Sequence, residues 1–466
     1  MSHALPLTPL DTCVSAVRRA LPVLPAIAVI ALLGLPHAPG TEGGATPADA
    51  MSGLLVVCCA VRLLRGRLRP LSGTAALIVG LPVVGIAVAA SDAVSPGAGL
   101  AGLGRYLQIF VLVPAAVLLS VRDRADFRLL AWSFIALALW QGAVGVHQYA
   151  TGTGATYMGE DIRAVGTFGS TDVMGMATVV SFGLVCAVAL ALGPSTAPGG
   201  PGGHGSWGRC AAVVCAVALS LPLALSFSRG AWIATAATCG TQLALAGARR
   251  AVKAGAAVAA AAVILVGGFG VGTAMLQERI NSITQVTDAP DQSVVDRYTM
   301  WAAAVDMWRQ RPLTGVGLKG FPDHRDGHAS LALSSGSEVG GAGEAYHRQP
   351  LLSPHNMYLL VLGEQGLIGL LALAGSWLAL LVCALRGLVR VRRTPSGLDC
   401  ALVACGLLVW QLTDFVYADI GGPSTVLTGL VLGLAAWWAL LDPTSTTAPA
   451  YASAATPAPA EGATAR

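Results

Sequence analysis

The stretch Ser353-Pro-His-Asn-Met-Tyr-Leu-Leu-Val-Leu-Gly-Glu-Gln-Gly-Leu-Ile-Gly-Leu370 opens a long apolar run directly after the only long polar segment between two apolar runs. Pro354 suits the first position of a helix and Ser353 suits its cap, so a helix is predicted whose first turn carries His355. The positive end of a helix dipole lowers the pKa of such a histidine and favours the neutral imidazole, which can act as a base.

The composition indicates a membrane protein. Of the 466 residues, 55% are hydrophobic and 11% are charged, and apolar runs of span length recur along the chain. Because backbone polar groups inside a bilayer must be paired, these runs are predicted to be helices. The predicted fold is an all-α, polytopic integral membrane protein with about 12 transmembrane helices. The spans are expected near 20–36, 51–64, 74–91, 98–121, 127–149, 172–193, 211–227, 231–248, 254–275, 357–385, 399–417 and 423–441.

The distribution of Arg and Lys predicts the orientation. Loops rich in these residues alternate with loops that have almost none, and the positive-inside rule places the basic loops and both termini in the cytoplasm. The predicted organisation is a cytoplasmic N-terminus (1–19), transmembrane helices one to nine (20–275), a large extracytoplasmic loop carrying short helices (276–353), transmembrane helices ten to twelve (354–441) and a disordered cytoplasmic tail (442–466).

Three arginines depart from this charge pattern. Arg163 and Arg229 lie in short outer loops, and Arg105 lies about two turns inside the outer end of the fourth span. An arginine at such a depth indicates either a function or an extension of its side chain to the lipid headgroups. Since arginine stays charged and binds phosphate with two hydrogen bonds, a cluster of them suits a pyrophosphate. The glycine-rich stretch after Arg163 could add backbone N–H groups to such an anion site.

The outer segment is predicted to contain an amphipathic helix over 291–311, ended by Pro312 and followed by a tight glycine turn. Its apolar stripe is predicted to pack against the spans or the bilayer surface. Arg297 lies about 60° from the centre of the stripe, so it either points toward the other arginines or borders the stripe. The stripe consists of Val294, Tyr298, Trp301, Val305 and Trp308.

Several further residues are predicted to support a site at His355. Asn356 and Tyr358 lie beside it, and Asp414 is a candidate partner for His355 or for an arginine. Glu364 would lie on the opposite face of a straight helix, so it is expected to cap another helix or line a polar cavity. Glycines in the same run predict a smooth flank for close helix contact: Gly363, Gly366 and Gly369.

No metal or other cofactor is predicted. Acidic residues and histidines of the outer segment could be imagined as a metal site, but Gly327 and its surroundings argue against a rigid helix that presents them. These residues are His324, His328, His347, Asp323, Asp326 and Glu344.

Four pieces of the chain, in their order and spacing, resemble the O-antigen ligase and O-antigen polymerase superfamily of membrane glycosyltransferases. The pieces are Arg163-Ala-Val-Gly-Thr-Phe, Ser226-Phe-Ser-Arg-Gly-Ala-Trp, Arg297-Tyr-Thr-Met-Trp through Pro312-Leu-Thr-Gly-Val-Gly, and Pro354-His-Asn-Met-Tyr-Leu with Glu364-Gln-Gly-Leu-Ile-Gly. The family commonly has a Pro-Asn pair after Gly-Thr-Phe, where this chain has Gly169-Ser-Thr-Asp172.

The resemblance implies a metal-independent, inverting glycosyltransferase of cell-surface polysaccharide biosynthesis. It implies a multi-pass protein of the cytoplasmic (inner) membrane whose active site lies on the extracytoplasmic side. The implied donor is a polyprenyl-pyrophosphate-linked glycan, the implied acceptor is a glycan or glycolipid hydroxyl, and membrane lipid but no nucleic acid is a partner. By the same resemblance, His355 activates the acceptor hydroxyl, Arg229 holds the pyrophosphate, and Arg297 matches the arginine of the outer loop.

Ligation of a finished glycan, polymerisation of repeat units and transfer to protein hydroxyls stay open, because the chemistry at His355 is alike in all three. A transporter or flippase for lipid-linked sugar is the alternative from another class. Such a protein carries polar groups at the membrane midplane, whereas the ionisable groups of this chain concentrate on the outer side.

Overall fold

The computed structural model describes residues 21–36, 46–68, 70–157, 161–193, 206–247, 252, 292–330, 333, 337–340, 347–349, 351–392 and 397–441, and these are predominantly helical. The first helices are α1 (Leu24–Leu32), α2 (Pro47–Leu64), α3 (Gly73–Gly80), α4 (Pro82–Ser91), α5 (Pro96–Leu107), a π-helical turn (Gln108–Leu112), α6 (Val113–Ser120) and α7 (Arg124–Thr151). Strands β1 (Ala155–Tyr157) and β2 (Asp161–Arg163), a 3-10 helix (Gly166–Asp172), α8 (Gly175–Leu192), α9 (Ser206–Leu225) and α10 (Arg229–Ala246) follow. The remaining elements are α11 (Gln292–Gln310), α12 (Phe321–His328), β3 (Ser337–Gly340), β4 (His347–Gln349), α13 (Met357–Val391), α14 (Leu398–Asp414), a second 3-10 helix (Pro423–Thr425) and α15 (Val426–Leu440).

Eight helical segments of the described chain are long and apolar enough to cross a membrane. They coincide with eight of the twelve predicted spans. Three other predicted spans coincide with α1, α10 and α14, which are shorter or less apolar than that standard. The predicted span 254–275 lies outside the described residues. The segments are Pro47–Leu64, Gly73–Ser91, Pro96–Ser120, Arg124–Thr151, Gly175–Leu192, Trp207–Leu225, Met357–Val391 and Pro423–Leu440.

The two ends of the helical bundle carry different charges. At the end predicted to be cytoplasmic, Arg128 on α7 donates to Asp399 at the start of α14, with a shortest N–O distance of 2.5 Å. Beside it, Arg122 pairs with Asp126 at 2.8 Å. Helices α8 and α15 are the most enclosed spans and form the centre of the bundle. The predicted outer residues gather at the other end.

A small antiparallel sheet at that other end was not predicted. Its strand order is β2-β1-β3-β4, so backbone from the loop after α7 pairs with backbone from the segment before α13. The prediction of an all-α fold therefore holds for the spans, and it is corrected by this sheet at the other end of the bundle. The sheet ties β2, which ends at Arg163, to the same segment that leads to His355.

Helix α13 is broken at Gly366, which has φ 63° and ψ −163°, and the glycine turn at 312–317 docks in the break. The amides of Leu367 and Ile368 donate to the carbonyls of Pro312 (2.9 Å) and Leu313 (3.2 Å). In return, the amides of Val316 and Gly317 donate to the carbonyls of Gly363 (2.9 Å) and Glu364 (3.0 Å). The two glycine motifs therefore hold the outer segment against α13, and the assumption of a straight helix was wrong.

Close helix contact occurs at two of the three predicted glycines. A Cβ on Gly85 of α4 would lie 2.3 Å from Gly369 Cα of α13, and Gly363 lies against Ala304 of α11. Gly366 has a different role, because it supplies the backbone conformation of the break. Its positive φ favours glycine.

Helix α11 confirms the predicted helix over 291–311, but its fully buried face is not the predicted stripe. The buried side chains are Met300, Ala303, Ala304 and Met307, which lie on nearly the opposite side of the helix. The small alanines allow the close approach to Gly363 of α13. Four residues of the predicted stripe are partly buried, and only Tyr298 is exposed, at 56%. Trp301 of the stripe donates to the Pro354 carbonyl beside α13, and contact of the stripe with the bilayer surface stays a prediction.

Candidate active site

His355 lies just before α13, not in its first turn as predicted. The helix begins at Met357, and Asn356 is its cap, since the amide of Leu359 donates to Asn356 Oδ1 at 3.0 Å. His355 itself has φ 48°, a strained conformation for a residue other than glycine. Such strain often accompanies functional sites and needs surrounding contacts to hold it.

Two elements hold the His355 segment in place. The Trp301 indole N–H of α11 donates to the Pro354 carbonyl at 2.9 Å. The Met357 amide donates to the carbonyls of Phe415 (2.9 Å) and Ala418 (3.0 Å), just after α14. The histidine is therefore fixed between the outer segment and the loop that joins α14 to α15.

The surroundings of His355 favour the neutral imidazole. Desolvation by burial lowers the pKa of His355 below its usual value, Arg297 lowers it further, and Asp419 partly opposes them. The neutral form therefore predominates near pH 7, as predicted, although the main cause is burial and not the helix dipole. Asp419 favours the imidazolium that forms once the ring accepts a proton.

Acidic residues line the same end of the bundle. Asp419 accepts a hydrogen bond from the Ser353 hydroxyl, and Asp414 is 7% exposed and lies within electrostatic range of Arg297, Asp419 and Asp172. Sequence reasoning missed Asp419. Its only sequence signal is that it is a carboxylate in a short outer loop.

Arg229 begins α10 in a tight turn. Ser228 caps the helix, because the Ala231 amide donates to its hydroxyl at 3.3 Å, and Phe227 before it has φ 48°. The next residue, Gly230, lies against Tyr417 of the loop between α14 and α15, where an added Cβ would be 3.5 Å from Tyr417 Cβ. The turn that carries Arg229 therefore lies next to the loop between α14 and α15, which also contacts the His355 segment.

Arg163, at the end of β2, donates hydrogen bonds to this turn. Its guanidinium donates to the Ser226 carbonyl (3.2 and 3.3 Å) and the Phe227 carbonyl (3.5 Å). The glycine-rich stretch that follows does not present its amides to an anion, contrary to the prediction. The amides of residues 164–167 donate to the Leu225 carbonyl and to the side-chain oxygens of Gln148 and Gln141.

Arg105 is engaged in an ion pair that the sequence did not reveal. Its guanidinium lies 2.5 Å from Asp49 in the first turn of α2 and donates to the Gly422 carbonyl at 3.4 Å. Gly422 belongs to the loop that carries Asp419. Arg105 therefore joins α2 and α5 to the loop beside His355.

The other supporting residues stabilise the architecture. The Tyr358 hydroxyl donates to the Leu412 carbonyl at 2.7 Å and so ties α13 to α14. Glu364 accepts from the Tyr106 hydroxyl (3.1 Å) and from the Phe321 amide (3.3 Å) at the start of α12. Of the two alternatives predicted for Glu364, capping another helix or lining a polar cavity, the contact with the Phe321 amide fits the first.

Two of the three histidines of the outer segment lie on a helix, contrary to the prediction, and His347 lies on β4. His324 and His328 are on α12, and His328 Nδ1 lies 2.7 Å from Asp306 Oδ2 of α11. Over the described ranges, no group of three or more His, Cys, Asp or Glu residues has an arrangement that could hold a metal ion. Glu344 lies outside those ranges.

The fold and the site define a multi-pass helical membrane protein with arginines, carboxylates and one constrained histidine at one end. Residues 214–374 match the protein-family model described as O-Antigen ligase, which confirms the resemblance found in the sequence. The matched region contains Arg229, Arg297 and His355. Members of this family are membrane glycosyltransferase-like ligases and polymerases. No curated protein matches the chain.

Proposed function

We propose that the protein is an inverting, metal-independent glycosyltransferase at the extracytoplasmic face of the cytoplasmic membrane. It moves a glycan from a polyprenyl-pyrophosphate donor to an acceptor hydroxyl of a glycan or glycolipid in cell-surface polysaccharide biosynthesis. The observation that carries the proposal is the imidazole of His355, which is desolvated and held in a strained backbone beside Arg297. A general base must be neutral at the working pH and fixed in position, and this histidine meets both requirements.

In the proposed reaction, the acceptor oxygen attacks the anomeric carbon as its proton moves to the neutral imidazole of His355. The bond between the anomeric carbon and the phosphate oxygen breaks, and polyprenyl pyrophosphate leaves from the opposite face with inversion. Asp419 stabilises the imidazolium, since its negative charge favours the protonated ring. Arg229 and Arg297 offset the charge that builds up on the leaving group.

The other two arginines act indirectly in this proposal. The Arg163 guanidinium donates hydrogen bonds to the turn that carries Arg229, so it positions that turn. Arg105 is neutralised by Asp49 and holds the loop of Asp419 through Gly422. Asn356 sets the start of α13 and thus the place of His355.

Glycan analysis of a deletion strain tests this function and separates its variants. We expect full-length polymer to accumulate on lipid if the protein is a ligase, and single lipid-linked repeats if it is a polymerase. Complementation with His355→Ala should fail to restore the surface glycan, whereas His147→Ala, which changes an exposed histidine at the same end of the bundle, should restore it. A labelled donor that moves between leaflets without being consumed would instead indicate a flippase.

A further inference from the structure

An exposed aromatic ring on α11 contacts the tryptophan that holds the His355 segment, and it has no role in the chemistry described above. Tyr298 on α11 is 56% exposed, and its ring stands nearly perpendicular to the ring of Trp301, with centroids 5.5 Å apart and an interplanar angle of 88°. Trp301 in turn donates to the carbonyl of Pro354, the residue before His355. One ring contact and one hydrogen bond therefore connect Tyr298 to the segment of the base.

The helix that carries this exposed ring is held in place. The opposite side of α11 is buried through Met300, Ala303 and Ala304, and the turn after the helix is locked into the break of α13. An exposed ring on a fixed helix loses little conformational entropy on binding, because it has only two side-chain torsions.

The chemistry of such a ring suits a sugar. The face of an aromatic ring carries partial negative charge, and one face of a pyranose presents several weakly positive C–H groups. The Tyr298 hydroxyl at the rim can exchange hydrogen bonds with sugar hydroxyls. A flat ring with a polar edge therefore matches a pyranose better than it matches a phosphate.

We infer that Tyr298 forms a subsite for a pyranose ring of the acceptor, and this inference rests on the proposed glycosyl transfer. The acceptor hydroxyl must reach His355, and Tyr298 is attached to the His355 segment through Trp301. The donor is held at its pyrophosphate by Arg229 and Arg297 and at its lipid chain by the membrane. The acceptor is the substrate that still requires a contact on the water-facing side.

Two substitutions separate sugar stacking from contact with lipid. Tyr298→Phe keeps the ring, whereas Tyr298→Leu keeps a shorter apolar side chain that a lipid surface still accepts. The control is Trp207→Leu, which removes an aromatic side chain that is 87% exposed at the other end of the bundle. The probes are the lipid-linked glycan extracted from the deletion strain, held at a fixed concentration, and the envelope fraction of the same strain, titrated as acceptor.

We expect Tyr298→Leu to raise the acceptor KM by about tenfold. The donor KM should stay within about twofold, and Tyr298→Phe should recover most of the acceptor affinity. If the wild-type protein transfers glycan but Tyr298→Leu leaves the acceptor KM unchanged, the subsite is refuted and the proposed function is not. That result would indicate that Tyr298 contacts lipid. A parallel rise of the donor KM would also refute the subsite, because that pattern indicates a general loss of structure. If the wild-type protein transfers no glycan, the proposed function fails and the subsite fails with it.

Discussion

Substitution of Gly366 by alanine tests the interlock that joins the outer segment to α13. At φ 63° and ψ −163°, Gly366 occupies a region that is essentially restricted to glycine, so a side chain there costs about 1–3 kcal/mol. An added Cβ would also lie 2.4 Å from the carbonyl carbon and oxygen of Leu313, which are backbone atoms and cannot rotate away. Relief of this collision requires the turn to move.

The movement would break the two hydrogen bonds that the amides of Leu367 and Ile368 donate to this turn. At about 1 kcal/mol each, their loss brings the total to roughly 3–5 kcal/mol. A change of this size should lower the thermal midpoint of the detergent-solubilised protein by about 5 °C or more. It should also reduce glycan transfer, because the same turn ends the helix that carries Arg297.

The assay is a thermal scan with a thiol-reactive fluorophore, which reports exposure of buried cysteines such as Cys186, Cys400 and Cys405. Gly375→Ala is the matched control on the same helix, because its added Cβ would make only an ordinary 3.5 Å contact with Leu81 Cδ2. Equal midpoints for Gly366→Ala and Gly375→Ala would refute the interlock as a source of stability.

Three further outcomes are expected. Arg163→Lys should lower the rate of glycan transfer about tenfold, because an ammonium cannot make the same set of hydrogen bonds to the outer turn. Arg163→Gln should be no more active than Arg163→Lys. Initial rates at saturating acceptor measure both. Since burial lowers the pKa of His355, the midpoint of the acid limb of the transfer rate should lie below pH 6.5. Asp419→Asn should move this midpoint to still lower pH, because loss of the negative charge favours the neutral ring. Rates measured from about pH 4.5 to 8 test this, and a midpoint that is unmoved or raised in Asp419→Asn would contradict it. Asp399→Ala should destabilise the opposite end by about 3–5 kcal/mol, because it removes the buried carboxylate that lies 2.5 Å from Arg128. The double substitution Arg128→Met with Asp399→Leu should recover much of this in the same thermal scan.

Hydropathy alone predicted most of the membrane part of the fold, because spans are set by local composition. The break in α13 could not be predicted, since a glycine such as Gly366 fits either a smooth helix flank or a break. The choice depends on the turn at 312–317, which is some fifty residues away in sequence. The small sheet escaped notice for a similar reason: its strands are three or four residues long and pair across distant loops.

The fully buried face of α11 could not be predicted, because aromatic residues at helical spacing were taken to mark the packing face. The close contact with α13 instead uses Ala303 and Ala304, whose small side chains permit the approach of Gly363. Trp301 and Trp308 of the stripe are partly buried, and Tyr298 is exposed. Aromatic residues with polar edges suit interfaces as well as interiors, so their spacing does not decide which side is buried.

The residues of the candidate site were predicted from their chemistry and from the family resemblance, but their surroundings could not be predicted. Ser353 and Asn356 are both favourable caps, and the carbonyls of Phe415 and Ala418 decide between them by holding the Met357 amide. The ion pair of Arg105 joins residues 56 positions apart, which no local pattern reveals.

The central claim is that the neutral imidazole of His355 and the guanidinium of Arg229 act on one lipid-linked substrate. Its most direct test is the rate of transfer from a labelled polyprenyl-pyrophosphate glycan in reconstituted vesicles, with His355→Ala and Arg229→Ala compared with wild type. Arg309→Ala, which removes an exposed arginine of α11, is the control. We expect His355→Ala to slow transfer by roughly 10²–10⁴-fold, as loss of a general base does, and Arg229→Ala to slow it strongly as well. Near-normal rates in both variants, with correct membrane insertion, would contradict the assignment.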